Sequence, residues 1–298
     1  MARHPGKGDL TEGQNIRRVA VFYHPRLTEA RALADELLDI LAKTGFKGWA
    51  RSAWDEETTS DNVDDRDLLI SIGGDGTMLR VSHLALPSGI PVLGVNMGRV
   101  GFMNEINPEE ARQDLPRLLT AGGRIERRAT LQAEIVPPAE SGNGEGDGRR
   151  TYFALNDVVV ARGRVARVIR IEARIDGDLF TVYKGDGVII ATATGSTSYS
   201  MAAGGPILNP LTDEFVLNPV TSHLTISNAL VLPPSSVIDL TVSTDHEVIM
   251  SIDGQIEADL RDGYTVSATI SPNAARFLRF QPPGRFYSTV TERLTRME

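Results

Sequence analysis

The residues able to do chemistry gather in three short stretches. The densest is Ile72-Gly73-Gly74-Asp75-Gly76-Thr77, which ends the apolar run Leu68 to Ile72 and opens Thr77 to Ala85, a stretch able to form a helix. Glycines there let backbone N–H groups approach a phosphate, which a helix N-terminus also favours. The dinucleotide fingerprint fails because its third glycine position is Leu79, and a Walker A loop fails because no Lys-Ser/Thr pair closes it. An aspartate inside an anion site is unfavourable unless it faces a cation or a proton to be abstracted. Phosphoryl transfer supplies both, so Asp75 is the expected catalytic base, with a plain Asp-Gly turn as the bland alternative.

A second cluster runs from Gly185-Asp186-Gly187 through Val188 to Ala191 into Thr192-Ala193-Thr194-Gly195-Ser196-Thr197-Ser198-Tyr199-Ser200, before Gly204-Gly205-Pro206. Its hydroxyls could line a polar pocket, with a tyrosine as an aromatic wall for a base; a Ser/Thr-rich strand edge is the alternative. The third is Asn156-Asp157, set between Phe153-Ala154-Leu155 and Val158-Val159-Val160. A carboxylate in an apolar strand must be hydrogen-bonded or face a ligand's donors, such as ribose hydroxyls; a turn or bulge is equally open. Arg80, Arg99 and Lys184 are the nearest basic residues and could supply local positive charge to phosphates.

These stretches need elements to hold them. Val19 to Tyr23 reads as a strand, and Ala30, Leu33, Ala34, Leu37, Leu38 and Leu41 mark an amphipathic helix over Glu29 to Lys43, with Thr28 as N-cap and Gly45 as stop. Leu68 to Ile72 and Pro91 to Val95 are further strands. Pro108 to Thr120 is a helix capped by Asn107, with Glu109 and Glu110 in its first turn. This alternation predicts a parallel sheet covered on both faces. Beyond Gly122-Gly123 the texture is β: Leu131 to Val136, Tyr152 to Ala161, Val168 to Arg174, Leu179 to Tyr183, Val188 to Thr192, Val237 to Val242, Val248 to Ile252 and Tyr264 to Ile270. Pro137 to Arg150 reads as the long, mobile tip of a hairpin.

With 298 residues, 41% hydrophobic and 23% charged, the chain can build two domains, and its apolar runs fall far short of a membrane span. No cysteine is present, which removes disulfides and thiolate chemistry, and five scattered histidines give no zinc spacing. The net charge of −8 opposes a nucleic-acid partner. The polar opening predicts a flexible tail over 1–15 and a cytoplasmic protein.

In order, Gly73-Gly74-Asp75-Gly76-Thr77, Leu155-Asn156-Asp157, and Thr194 to Ser200 with Ala203-Gly204-Gly205-Pro206 resemble the bacterial NAD kinases. Gly94-Val95-Asn96, Gly98, Gly101-Phe102, Lys184 to Gly187 and Asp253-Gly254-Gln255 support the resemblance, which spans Val19 to Phe280. The first motif is shared with lipid, sphingoid and phosphofructo-kinases, so the later motifs carry the assignment. The resemblance implies an α/β Rossmann-like domain over 16–123, to which 277–298 returns, a β-rich NAD-binding domain over 124–276, and an active site between them.

It further implies transfer of the γ-phosphate of ATP, with polyphosphate left open as donor, to the 2′-hydroxyl of the adenosine ribose of NAD, using a divalent cation, expected to be Mg2+. Asp75 would take the proton. Gly73, Gly74, Gly76 and Thr77 would meet phosphate, while Asp75, Gly76, Arg80, Asn156, Asp157, Lys184, Asp186, Thr197, Ser198, Tyr199, Ser200 and Gln255 would contact NAD. A homodimer or homotetramer is implied. Lys184 stands where arginine is usual, losing the bidentate fork, and Ser198 stands where alanine is usual. The alternatives are a lipid or sphingoid kinase, which would need an acyl groove, and a dinucleotide-binding sensor without turnover.

Overall fold

The computed structural model describes residues 16–55, 57–98, 101–138, 149–163, 168–220, 227–244, 246–282 and 286–295. The expected tail, Arg99 and most of the tip between Pro137 and Arg150 lie outside the described residues. The chain forms two compact units, Met1–Arg127 with Ala275–Glu298, and Arg128–Ala274.

The first unit runs β1 (Arg18–Tyr23), α1 (Thr28–Lys43), β2 (Lys47–Ser52), β3 (Leu68–Gly73), α2 (Asp75–Ala85), β4 (Val92–Asn96), α3 (Pro108–Ala121) and β5 (Arg124–Arg128). Strand β1 pairs in parallel with β2 and β3, and β3 with β4. All six residues of β3 are buried, the mark of a central strand covered on both faces. Helix α1 buries Ala30, Leu33, Ala34, Leu37 and Leu41 along one stripe.

Thr28 is not the cap of α1. The turn closed by Leu27 N–H on the His24 carbonyl brings the chain into the helix one residue early, so Leu27 holds the cap position and Thr28 is the first helical residue. Asn107 does cap α3: its side chain accepts the Glu110 amide at 2.9 Å while the Glu110 carboxylate accepts the Asn107 amide at 2.9 Å. Such a reciprocal cap is worth about 1 kcal/mol.

The second unit contains β6 (Leu131–Val136), β7 (Arg150–Ala154), β8 (Asp157–Arg162), β9 (Ile169–Ile175), β10 (Asp178–Gly185), β11 (Gly187–Thr192), the short α4 (Tyr199–Ala202), β12 (Phe215–Val220), β13 (Leu230–Leu232), β14 (Ile238–Ser243), β15 (Val248–Ile252), β16 (Ile256–Leu260) and β17 (Thr265–Ile270). They make two six-stranded sheets, β10-β9-β14-β17-β6-β7 and β13-β12-β11-β8-β15-β16. Ile171, Leu240 and Val266 of the first sheet join Val160, Ile190, Leu217 and Met250 of the second in one buried core, the inner faces of a sandwich. The outer face of the second sheet is also buried, through Val159, Ile189, Ala191 and Val216 under Ala203 and Leu208, so β11 is covered on both sides.

The single strand expected over Tyr152 to Ala161 is two strands in different sheets, broken at Leu155-Asn156. After β17 the chain re-enters the first unit as β18 (Ala275–Arg279), parallel to β4 and completing the sheet order β2-β1-β3-β4-β18-β5; α5 (Phe286–Thr295) follows. Among the described residues no helix is long and apolar enough to cross a membrane.

Candidate active site

In the first unit, β3 turns directly into α2 at Gly73-Gly74-Asp75, the carboxyl end of a central parallel strand, where α/β sheets bind ligands. A Cβ on Gly73 would collide with the Thr77 side chain, so only glycine lets the helix start this close to the strand. Gly74 and Gly76 are the reverse: among the described residues, a Cβ on either meets no non-neighbouring protein atom within 4 Å, leaving the turn open on the side of the helix N-terminus.

Asp75 is the first residue of α2, where the helix dipole favours a negative charge. Its carboxylate accepts the backbone amides of Phe102 at 3.1 Å and Met103 at 3.4 Å and the Asn104 side-chain amide at 3.3 Å. Gly101 passes so close that a Cβ there would collide with the Asp75 carboxylate. Every one of these groups donates, so Asp75 is fixed as an acceptor. Thr77 is buried, and its hydroxyl has no partner among the described residues. Arg80 is engaged within the unit: Nε donates to the Ala53 carbonyl at 2.7 Å and the guanidinium lies 5.3 Å from the Trp54 ring.

In the second unit the organising residue is Asp253. It opens the three-residue connection between β15 and β16, with φ +53° at Asp253 and +63° at Gly254, a left-handed pair that Asp-Gly readily adopts. Its buried carboxylate accepts the amides of Leu155 at 2.8 Å, Asn156 at 2.7 Å and Asp157 at 2.9 Å. That grip on three successive amides breaks the expected long strand and sets Asn156-Asp157. Asp157 is itself 4% exposed. Burial, helped by the neighbouring Asp253 charge, pushes its carboxyl up to about 7.

The hydroxyl-rich segment is built against the same backbone. Thr192 Oγ1 donates to the Leu155 carbonyl at 2.6 Å and accepts the Gly195 amide at 3.0 Å, and the Thr192 amide donates to the Asn156 carbonyl at 2.8 Å. A Cβ on Gly195 would collide with that carbonyl. Several of the hydroxyls expected to line a pocket are engaged within the segment itself. Ser196 Oγ donates to the Ala193 carbonyl and accepts the Leu208 amide, Thr197 Oγ1 donates to the Thr194 carbonyl, and buried Ser200 accepts the Asn218 amide on both its carbonyl and its hydroxyl. These hydroxyls fold the turn, and Ser198 and Tyr199 are the exposed pair.

Asp186 pairs with Arg162 at 2.7 Å. Lys184 is exposed on β10, and Gln255 follows Gly254 in the β15–β16 turn, half-buried. The structure therefore gathers Asn156, Asp157 and Thr197 to Ser200 around one piece of backbone, with Asp253 as the clamp that sequence reasoning gave only a supporting place. Asn104, which holds Asp75, went unmarked. The Asp-Gly turn between two apolar runs was a readable signal for the first; nothing local marks the second. Among the described residues no group of three or more His, Asp or Glu could hold a metal ion.

Residues 33–124 match the ATP-NAD kinase N-terminal domain and residues 155–280 the ATP-NAD kinase C-terminal domain. A NAD kinase of Dehalococcoides mccartyi is 41% identical over 278 residues, covering 93% of this chain and 96% of that protein. One from Chloroflexus aggregans is 37% identical over 281 residues, covering 94% and 99%. The crystal structure of an NAD kinase from Archaeoglobus fulgidus in complex with ATP matches with a TM-score of 0.72 at 25% identity, covering 92% of this chain and 98% of that one. Yeast NADH kinase complexed with NADH shares the fold, with a TM-score of 0.83 at 21% identity over 94% of this chain and 88% of that one. A glycine turn with its own anchored carboxylate, on this fold, defines a phosphotransferase. The chain belongs to the NAD kinase family.

Proposed function

We propose that the protein transfers the γ-phosphoryl group of ATP to the 2′-hydroxyl of the adenosine ribose of NAD, giving NADP and ADP. The observation that carries this is the Asp75 carboxylate, held by three donors at the head of α2 beside two glycines with open space above them. Asp75 accepts the hydroxyl proton as the ribose oxygen attacks phosphorus and the bond to the β-phosphate oxygen breaks. A positioned base of this kind contributes about 10²- to 10⁴-fold. The turn at Gly73, Gly74, Gly76 and Thr77 receives phosphate, and positioning supplies the rest, since phosphoryl transfer forms no bond to the protein.

Asn156 and Asp157 hold the dinucleotide, with Thr197 to Ser200 beside them and the exposed Tyr199 ring against adenine. Arg80 offers its terminal nitrogens, because its Nε is engaged by Ala53. Lys184, Asp186 and Gln255 are further contacts, with Asp186 oriented by its pairing with Arg162. Mg2+ fits this donor set as an ion carried on ATP, because it needs only one or two carboxylates beyond phosphate and water. When bound it would neutralise charge on the phosphates. A cytoplasmic homodimer or homotetramer completes the reading.

The test is purified protein with NAD, ATP and Mg2+, followed with an NADP-specific dehydrogenase, and repeated with polyphosphate as donor. NADP should form, and Asp75→Asn should lose turnover while still binding NAD. Binding without product in the native protein would make it a sensor and overturn the proposal.

A further inference from the structure

The loop that holds Asp75 is itself held by a residue from the far end of the chain. Arg279 closes β18 and is 5% exposed. Its Nη1 donates to the Met103 carbonyl at 2.8 Å and to Glu105 Oε2 at 3.2 Å, and its Nε donates to Glu126 Oε1 at 3.1 Å. Glu105 Oε1 accepts the backbone amides of Phe280 at 2.8 Å and Gln281 at 2.7 Å. Arg124 meets the other oxygen of Glu126 at 3.0 Å. Two guanidinium groups and two carboxylates thus balance, the condition under which charges tolerate burial. Met103 joins the two sites, its amide facing Asp75 and its carbonyl facing Arg279.

We propose that Arg279 is a positioning residue for Asp75, acting through the Gly101 to Glu105 loop. This rests on the reading of Asp75 as proton acceptor. Only a planar guanidinium can hold a carbonyl and two carboxylates at fixed angles at once; an ammonium is a point charge on a flexible stem. Buried ionic networks often add little stability over apolar packing, and in some proteins their use is to fix one conformation. The conformation fixed here is the loop's approach to the carboxylate, which Gly101 makes possible by lacking a side chain.

Arg279→Lys, in the full chain, should lower kcat about ten- to a hundredfold, because a base displaced by a fraction of an ångström loses most of its effect. KM for NAD and for ATP should stay within about twofold of the native values. A purely structural role would lower the melting temperature and the titrated fraction of active enzyme, leaving kcat per active site unchanged. In the Asp75→Asn background, Arg279→Lys should cost no further turnover, since the group it positions is gone. A folded Arg279→Lys enzyme with native kcat, or losses that multiply in the double variant, would overturn the proposal. If Arg279→Lys does not fold, Glu105→Gln provides the same reading, and native kcat there overturns it as well. Native turnover in Asp75→Asn alone would instead remove the base assignment, a failure distinct from that of Arg279.

Discussion

Replacing Asp253 by asparagine keeps the volume of the side chain and removes two things at once, a triple acceptor and a negative charge. The native carboxylate receives Asn156 and Asp157 on one oxygen and Leu155 on the other. Asparagine has one acceptor oxygen, so an NH2 group must face a buried N–H, and one amide is orphaned at a cost of about 1–3 kcal/mol. The charge acts the other way. The rise of the Asp157 carboxyl from 3.8 to about 7 corresponds to about 4 kcal/mol, with burial the larger cause and Asp253 the smaller, so removing Asp253 returns less than about 2 kcal/mol.

The sign follows from proton uptake. Between pH 3.8 and about 7 the native fold keeps a proton on Asp157 that the unfolded chain has lost, so stability from this group is full below that window and declines as pH rises through it. The variant declines less. Urea unfolding should therefore show Asp253→Asn destabilised by the whole orphaned amide near about pH 5, and by clearly less near about pH 8.5, where the native pair is doubly charged. An equal or greater loss on the alkaline side would show that the two carboxylates do not oppose each other; no loss on the acid side would show that the amides are not held by Asp253.

The glycines divide cleanly. Among the described residues the new Cβ of Gly74→Ala meets no non-neighbouring atom within 4 Å, so thermal stability should stay within about 0.5 kcal/mol of native while KM for ATP rises. Gly195→Ala collides with the Asn156 carbonyl and should destabilise by about 1–3 kcal/mol and raise KM for NAD, read by calorimetry and initial rates. Tyr183, whose ionisation burial pushes up to about 12, keeps its hydroxyl buried without a partner among the described residues. Tyr183→Phe should thus be neutral or stabilising by up to about 1 kcal/mol in urea, and a loss above that range would reveal a bond to the hydroxyl.

The sequence was most legible where one physical rule dominated. The stripe in α1, the capping box of α3 and the apolar run into Gly73-Gly74-Asp75 each follow from neighbours within one or two turns. Strand β2, with the sequence KGWARS, escaped notice because it has no β-branched run and is held by pairing with β1. The break at Leu155-Asn156 could be read only as an open alternative of a turn or bulge at Asn156-Asp157, because its cause lies about a hundred residues downstream, in the Asp253 carboxylate. Within the site, Asp75 declared itself by being an acid among glycines, whereas Asn104 and Arg279 carry no local mark. Their meaning is a contact, and contacts between distant segments are written in no window of the chain. The hydroxyl cluster has a second part that no window shows, since Ser196 and Thr197 spend their hydroxyls on closing the turn that carries Ser198 and Tyr199.

Strand β18 is inserted between β4 and β5 although the whole β-rich unit precedes it in the chain. Until β18 is made, β4 is therefore left as an edge of the sheet, and β5, placed beside β18, lacks that neighbour. A chain lacking Arg279 would expose the β4 edge and leave Glu105 without its Arg279 ion pair. The brace on the Asp75 loop is thus among the contacts the chain can make only late in its synthesis.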